Sequence, residues 1–302
     1  MQKYSIFNLI KNAFSNHENW DLAWKDPTPK KEYDVVIIGG GGHGLATAYY
    51  LAKEHNITNV AIIEKGWIGG GNVGRNTTII RSNYMHDDNA LFSEFGMDLW
   101  RKMSQDLNYN VMFSPRGIIN LAHSDAQMNV YSRRGNSMRL NGIDAVLLNR
   151  EQVKEIIPMA DFSDNVRFPI FGALMQPSAG TARHDAVAWG YARQADSMGV
   201  DIIQNCEVTG FDIAGGKING VRTSRGDIKV KKIGLCVAGS TNILAEKLNI
   251  NLPVETHLLQ ACVSEPIKPI LDRVVTFGAG HFYISQSDKG EMVMGGDLDG
   301  YN

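Results

Sequence analysis

The sequence predicts an α/β fold built around a parallel sheet, and three neighbouring features of the chain support this prediction. Val35–Ile38 is a short, fully apolar run, a glycine cluster follows it, and a second strand, predicted to be buried over Asn59–Ile63, ends at Glu64. Such runs are typical of central strands in a parallel sheet, because both faces of that sheet are covered. Leu45–Ala52 between them reads as a helix that starts inside the glycine cluster, so we expect a βαβ unit.

The glycines after the first strand fit the pattern G-x-G-x-x-G at Gly39, Gly41 and Gly44. Gly39 permits the tight turn, Gly41 lets a pyrophosphate approach the backbone, and Gly44 lets the helix pack closely on the strand. Because strand, glycines, helix and second strand occur in register, the pattern predicts a Rossmann-like dinucleotide site rather than an ordinary glycine-rich turn.

Two further parts of the predicted site flank these glycines. The amides of Gly42 and His43 lie at the positive end of the predicted helix, where a diphosphate binds favourably. The ring of His43 itself reads as a surface group. Glu64, at the tip of the second strand, is placed to accept hydrogen bonds from the adenosine ribose, and an acid there disfavours a 2′-phosphate.

The next stretch, Gly66–Tyr84, has a second glycine cluster and neither helical nor strand periodicity. It is dense in hydrogen-bond donors and suits a loop that folds over a long dinucleotide such as FAD, whereas classical NAD dehydrogenases run straight into the next βα unit. The donors that we expect to bind FAD are Asn72, Arg75 and Thr77. Arg81 is a candidate catalytic-site anchor for an anionic substrate, with a structural ion pair or helix cap as the alternative. Tyr84 lines the same pocket or belongs to the core.

Later segments fit the same nucleotide-binding domain. Gly199–Thr209 reads as one strand, with Val208 where FAD-dependent two-domain enzymes contact the adenine edge. After a hairpin predicted around Gly215 and Gly226, Lys232–Gly239 reads as a buried strand that ends in glycine. Thr241 is placed to cap a helix that begins at the next residue. For Val208 and Gly239, plain packing is the alternative to a role in binding FAD.

Composition excludes several classes of function. The formal net charge is -2, which gives no electrostatic reason to expect nucleic-acid binding or a polybasic membrane patch. The apolar runs are too short to span a bilayer. The three separated cysteines and the scattered histidines show no metal-ligand spacing. The cysteines read as buried free thiols in a reducing compartment. We therefore expect a cytoplasmic protein with no metal, no nucleic acid and no membrane partner.

The first thirty residues form a separate N-terminal arm in this interpretation. Its amphipathic start lacks a continuous apolar region and a cleavage site, so a secretory signal is disfavoured. Trp20 and Trp24 have helical spacing and precede the breaker DPTPKK. The arm is expected to pack either on the body of the protein or on a partner chain.

Taken together, several motifs resemble one family of flavoenzymes. The segments are YDVVIIGGGGHGLATAYYLAKEHNITNVAIIEKGW, GRNTTIIRSNY, LNYNVMFSPRGIINLAHS, LNREQVKEIIP, ARHDAVAWGYAR, GVDIIQNCEVTGF and GEMVMGG. The glycine pattern alone reaches only the superfamily, while RNTTIIRSNY with ARHDAVAWG is similar to the beta subunits of heterotetrameric sarcosine oxidases. These belong to the glycine oxidase and D-amino-acid oxidase class.

The resemblance implies cofactors and partners that the spacing alone does not. In this family the beta subunit holds FAD non-covalently and oxidises sarcosine, while FMN is tethered to a histidine that matches His184, next to Arg183. Electrons pass from FAD to FMN and then to oxygen, giving hydrogen peroxide, and the one-carbon product is transferred to tetrahydrofolate. The implied partners are the alpha (large), gamma and delta subunits, with NAD in the large subunit. On local sequence alone, His184 is instead a helix-start residue beside Asp185.

The domain boundaries expected from this comparison are interleaved. Residues 31–115 and 176–255 should form the FAD-binding domain. Residues 116–175 and 256–302 should form the substrate domain, with strands over Glu255–Val263 and His281–Ser285. Family members continue past the equivalent of Asn302, where a second substrate anchor would lie, so the chain is expected to be truncated at its C-terminus.

Two rival functions remain open at the level of sequence. One is a stand-alone FAD-dependent amine or amino-acid dehydrogenase without covalent FMN, which uses an acceptor other than oxygen. The other is a non-catalytic flavin-binding assembly subunit or a truncated remnant. Sarcosine, dimethylglycine and other N-methyl amines are equally compatible with the residues present.

Overall fold

The computed structural model describes residues 5–18, 20–163, 165–278 and 282–298. The helices are α1 (Ile6–Phe14), α2 (Gly42–His55), α3 (Asp87–Asp106), α4 (Asp125–Leu140), α5 (Arg150–Ile156), α6 (His184–Ser197) and α7 (Thr241–Glu246). The strands are β1 (Glu32–Ile38), β2 (Val60–Ile63), β3 (Ile79–Ile80), β4 (Ile118–Ala122), β5 (Val146–Asn149), β6 (Gly172–Gln176), β7 (Gly180–Thr181), β8 (Asp201–Ile203), β9 (Val208–Ala214), β10 (Lys217–Thr223), β11 (Gly226–Leu235), β12 (Leu259–Val263), β13 (Val274–Phe277), β14 (Phe282–Gln286) and β15 (Met292–Leu298).

The chain divides into two compact units, each made of separate stretches of sequence. The first comprises residues 1–76, 104–111 and 184–256, and the second comprises residues 77–103, 112–183 and 257–302. The division expected from the sequence keeps 77–103, 112–115 and 176–183 with the nucleotide-binding part and residue 256 with the substrate part, and the structure differs there. The physical reason is strand pairing, since β3 pairs with β7 and Ser114 forms a bridge to Thr181 within the second unit.

A six-stranded sheet forms the centre of the first unit, in the order β8-β2-β1-β11-β10-β9. β8, β2, β1 and β11 are parallel, which confirms the α/β prediction, and β10 and β9 extend the sheet as an antiparallel meander. All four residues of β2 are buried, as expected for a central strand covered on both faces. Gly215 in the turn between β9 and β10, and Gly226 at the start of β11, have the positive φ angles that favour glycine.

Three sequence-based boundaries in the first unit are wrong. Gly199–Thr209 is not one strand, because the backbone amides of Asn205 and Cys206 turn to the carbonyls of Gly66 and Glu64 and separate β8 from β9. β11 ends at Leu235 rather than Gly239, and a 3₁₀ turn over Ala238–Ser240 follows. Thr241 does not cap α7, since the helix begins at Thr241 itself and its hydroxyl donates back to the Ala238 carbonyl.

The N-terminal arm contains α1, whose start is capped by the Ser5 hydroxyl, which accepts from the Asn8 amide. None of the nine residues of α1 is buried. The expected helical pairing of Trp20 with Trp24 is wrong, because the helix ends before both and they lie in irregular chain. The segment beyond them is attached to the first unit, where the Lys25 amide donates to Asp196 at 3.0 Å.

A seven-stranded mixed sheet forms the second unit, in the order β12-β15-β14-β13-β4-β6-β5. Only β4 and β13 are parallel neighbours, and the other adjacent pairs are antiparallel, as the sequence-based interpretation expected. Strand β12 is shorter than the predicted Glu255–Val263, and all of its residues are exposed. The predicted strand that starts at His281 corresponds to β14, while His281 itself lies outside the described residues.

Candidate flavin and substrate site

The glycine loop between β1 and α2 is shaped by two close approaches of backbone to backbone. Gly39 has a φ of +109°, and a Cβ there would lie 2.3 Å from the Cys236 carbonyl oxygen. A Cβ at Gly44 would lie 2.0 Å from the Gly39 carbonyl oxygen. The two positions therefore require glycine because of the protein's own backbone, as predicted for the turn and for the packing of α2 on the strand.

Gly41 is different, because the protein leaves space beside it, and Gly42 is intermediate. A Cβ at Gly41 would have Val73 Cγ2 as its nearest neighbour at 3.8 Å, and at Gly42 the same atom would lie 3.3 Å away. Among the described residues, no side chain caps the start of α2 and no acid lies in its first turn. Amides of the first helical turn that lack a capping side chain suit a phosphate. The loop over residues 39–44, called the glycine cradle below, therefore fits a dinucleotide. His43 is exposed, as expected of a residue whose amide matters more than its ring.

Glu64 is fixed at the end of β2 by both of its carboxylate oxygens. Oε2 accepts from the Gly40 amide and Oε1 accepts from the Gly66 amide, each at 2.8 Å. Each oxygen keeps a second lone pair, which is what a ribose hydroxyl would use. The carboxylate therefore holds the glycine loop and the following turn together and remains a competent acceptor for a nucleotide.

Replacing Glu64 by glutamine tests this double role. Only one atom of the amide group can accept, so either the Gly40 or the Gly66 amide will face an NH₂ group. We expect the free energy of unfolding to fall by about 1–3 kcal/mol. Chemical denaturation measures this, with Glu54→Gln on the exposed side of α2 as the control. Equal stability of both variants would contradict the bonding role of Glu64.

The loop after Glu64 folds back onto the glycine loop within the first unit. The Gly69 amide donates to the Gly40 carbonyl at 3.2 Å, and a short 3₁₀ helix runs over Asn72–Arg75. Because Val73 of this helix is the nearest neighbour of Gly41 and Gly42, Asn72 and Arg75 are carried next to the cradle. Thr77 follows the helix by two residues and begins the second unit. Thr78 has a φ of +64°, a strained conformation for a β-branched residue.

Val208 and Gly239 lie near the same part of the first unit. Val208 begins β9 and is buried, two residues after Cys206, whose amide donates to the Glu64 carbonyl. Gly239 lies in the 3₁₀ turn, three residues after Cys236, the residue that Gly39 approaches. A Cβ at Gly239 would meet Thr256 Cγ2 at 3.0 Å. Packing thus accounts for part of the need for glycine at position 239. The roles of Val208 and Gly239 in binding FAD remain predictions.

His184 is the first residue of α6, and Asp185 is the second. Its ring is half-buried, and its Nδ1 atom is buried with no hydrogen-bond partner among the described residues. Asp185 lies in the first turn and accepts from the Ala186 amide. Arg183 pairs with Asp288 at 3.3 Å in the second unit. The ring of His184 is therefore not committed to a structural hydrogen bond through Nδ1.

Arg81 follows β3 and is held by two neighbours in the chain. Its Nη1 donates to Asn83 Oδ1 at 2.7 Å, and its guanidinium carbon lies 4.5 Å from the centre of the Tyr84 ring. The described residues form no salt bridge with Arg81, which disfavours the structural ion pair as its role. The sequence-based interpretation missed Asn83, although it follows Arg81 in the motif RSNY.

Two other expectations concern groups elsewhere in the chain. All three cysteines are free, but only Cys206 is buried, whereas Cys236 is half-buried and Cys262 is exposed, so the prediction of three buried thiols is wrong. Across the described ranges, no cluster of three His, Cys, Asp or Glu side chains could hold a metal ion. In the same ranges, no helix combines the length and apolar character needed to cross a bilayer.

The parallel sheet, the glycine cradle and the fixed acid define a dinucleotide-binding oxidoreductase of the two-unit flavoenzyme class. The chain belongs to the family described as FAD dependent oxidoreductase, whose match covers residues 34–302. It is 60% identical over 300 residues to sarcosine oxidase subunit beta of Rhizobium meliloti (strain 1021), with 99% of this chain and 72% of that protein covered. The subunit of the same name from Rhodobacter capsulatus is 53% identical, with 100% and 73% covered.

A solved structure extends the comparison to three dimensions. The crystal structure of L-proline dehydrogenase from P. horikoshii is similar with a TM-score of 0.83 and 28% identity, and covers 90% of this chain and 71% of that one. The resemblance to beta subunits seen in the motifs is thereby confirmed, as are the flavoenzyme fold and the family's dependence on FAD.

Proposed function

We propose that the chain is the sarcosine-oxidising subunit of a multi-chain sarcosine oxidase and binds FAD non-covalently. The support is the name of the relatives at 60% and 53% identity together with the anion-binding group at Arg81. Arg81 carries the proposal, because its guanidinium is held by Asn83 and Tyr84 without a salt bridge among the described residues. The residues proposed to bind FAD are Gly39, Gly41, Gly42, His43, Gly44, Glu64, Asn72, Arg75, Thr77, Val208 and Gly239.

In the proposed reaction, a hydride leaves the N-methyl carbon of sarcosine and the resulting iminium is hydrolysed to glycine and formaldehyde, or its methylene group passes to tetrahydrofolate. FAD supplies the hydride acceptor when bound, and FMN on His184 supplies the route of the two electrons to oxygen, which with two protons gives hydrogen peroxide. Arg81 binds the substrate carboxylate through charge-assisted hydrogen bonds. The amine must be neutral to lose a hydride, so desolvation near this anchor would favour the reactive form by lowering the pKa of the amine.

The proposed covalent site for FMN is His184, and the state of its ring supports this. A neutral imidazole nitrogen is a competent nucleophile, and the buried Nδ1 makes no competing hydrogen bond in the described chain. Arg183, bound to Asp288, places a positive charge one residue away. The relatives are named as subunits, and we propose that large, gamma and delta subunits are the partners that complete the complex.

The decisive test is sarcosine turnover by the complex purified with its partner subunits. Replacing Arg81 by methionine removes the anchor of the carboxylate, so KM for sarcosine should rise about 100-fold. Steady-state kinetics measure this, with Arg133→Met, an exposed position on α4, as the control. Sarcosine-dependent bleaching of the flavin without oxygen should be seen in the wild-type complex. No bleaching would overturn the proposal in favour of a non-catalytic subunit, and activity of the isolated chain with another acceptor would favour a stand-alone dehydrogenase.

A further inference from the structure

The loop that carries Arg81, residues 81–85, is held by side chains from other elements of the second unit. The Ser82 amide donates to Gln176 Oε1 at 3.0 Å, and the Met85 carbonyl accepts from the Ser137 hydroxyl at 2.7 Å. Between them, the Asn83 carbonyl accepts from both Nε and Nη2 of Arg134, with Nε at 2.6 Å. The main chain at Arg81 is therefore positioned by α4 and β6 rather than by a regular strand or helix.

Asn83 connects two guanidinium groups. Its backbone carbonyl accepts from Arg134, and its side-chain Oδ1 accepts from Arg81 at 2.7 Å. Asn83 is fully buried, with 0% of its surface exposed. A movement of Arg134 would shift the Asn83 backbone and with it the group that orients Arg81.

The positive charges of Arg81 and Arg134 are not neutralised by acids among the described residues. Burial lowers the pKa of the Arg134 guanidinium, and the positive charge of Arg81 lowers it further. Neither arginine forms a salt bridge among the described residues. Glu94, which accepts from the Ser82 hydroxyl, pairs with Arg101. Two like charges held close together disfavour each other, and a bound anion would relieve that repulsion.

One hydrogen-bond donor beside Arg81 has no partner in the part of the chain that the structure describes. Asn83 Nδ2 is buried and unpaired among the described residues, and its identity as the nitrogen follows from the bond that Oδ1 accepts from Arg81. A buried polar group without a partner costs about 1–3 kcal/mol. Such a donor beside an unneutralised guanidinium is what a carboxylate would satisfy.

We propose that Asn83 supplies a second hydrogen bond to the substrate carboxylate beside Arg81, and that Arg134 is a positioning residue that orients both by holding the Asn83 carbonyl. The proposal rests on the proposed function, because it takes a carboxylate as the group that is bound. It adds two residues to the recognition of the substrate and explains why neither guanidinium is paired with an acid among the residues that the structure describes.

The first test measures acetate as a carboxylate probe on the FAD-loaded complex, by titration of the flavin absorbance. Arg134→Met should weaken acetate binding about 10-fold or more, raise KM for sarcosine similarly, and leave kcat and flavin loading within about 3-fold. The control is Arg139→Met on the same helix, where the arginine donates to the Ala145 carbonyl instead. Arg134→Lys, which restores one donor, should recover part of the affinity. Equal acetate affinity of Arg134→Met and Arg139→Met would overturn the positioning role.

The second test compares two replacements of Asn83. Asn83→Asp keeps the shape and still accepts from Arg81, but it removes the donor and adds a negative charge. If Asn83 binds the carboxylate, the aspartate variant should bind acetate at least 10-fold more weakly than Asn83→Ala. A purely structural role predicts the reverse order, because alanine leaves a cavity and an unpaired Arg81.

A double variant separates this inference from the function on which it rests. In an Arg81→Met background, Arg134→Met should cost less than about 3-fold further in acetate affinity, since the group that it orients is gone. If the two fold-losses of acetate affinity multiply in the double variant, the inference about Asn83 and Arg134 is overturned. Sarcosine turnover by the wild-type complex would still support the proposed function in that case. Acetate binding that follows these variants without sarcosine turnover would overturn the function and leave the carboxylate site standing. A wild-type complex that binds no acetate would overturn both.

Discussion

His184→Ala will leave the purified complex without protein-bound flavin after denaturation, whereas the wild-type protein will keep it. Denaturation releases a non-covalent cofactor but cannot break a bond between imidazole and flavin. The flavin absorbance of washed, acid-precipitated protein should therefore fall to background in the variant. The released FAD should be unchanged, because His184 takes no part in the glycine motif or in the hydrogen bonds of Glu64.

The expected effect is specific because His184 contributes little that alanine would lose from the fold. Its Nδ1 makes no hydrogen bond among the described residues, and the helix is secured further along, where Gly190 packs against Leu107 and Tyr109. Unfolding free energy should change by about 1 kcal/mol or less. His55→Ala, at the exposed end of α2, is the matched control and should keep the covalent flavin. Covalent flavin retained in His184→Ala would exclude this histidine as the attachment point.

The part of the fold that the sequence predicts correctly is the part set by local rules. The packing at Gly44 depends on the carbonyl of Gly39, five residues earlier, so the glycine pattern is sufficient to place it. The turn at Gly39 is also marked by this pattern, although the backbone that it approaches belongs to the distant Cys236. The division of the chain follows other rules. β3 pairs with β7 across about a hundred residues of sequence, and no local pattern at Ile79 or Ile80 reveals that partner.

The site around Arg81 shows the same limit for function. Arg81 stands out because it follows two isoleucines in a donor-rich loop, but Arg134 lies on a different helix and reaches Asn83 over a separation of 51 residues. In the sequence, Arg134 is one of three arginines on α4, and only its contact distinguishes it from Arg133 and Arg139. The tryptophan pair shows the opposite error, since helical spacing of Trp20 and Trp24 does not require a helix when a proline-rich segment follows.

Gly44→Ala and Gly41→Ala should fail in different ways, although both alter the same motif. At Gly44 the new Cβ would lie 2.0 Å from the Gly39 carbonyl oxygen, and a backbone atom cannot move aside as a flexible side chain can. The free energy of unfolding should fall by about 3 kcal/mol or more, the upper end for an overpacked site. Reduced yield of folded protein and a lower thermal midpoint, both measured without added FAD, are the expected results.

At Gly41 the nearest atom to a new Cβ is 3.8 Å away, and the backbone is extended with a φ of -83°, so alanine fits the protein alone. The stability should change by about 1 kcal/mol or less, the usual cost at a helix N-cap. The affinity for FAD should nevertheless fall about 100-fold, because the methyl group occupies the space that a pyrophosphate needs. Fluorescence titration of the apoprotein with FAD measures this. An unchanged affinity in Gly41→Ala would mean that the cradle does not hold the pyrophosphate, whatever the stability of the Gly44 variant.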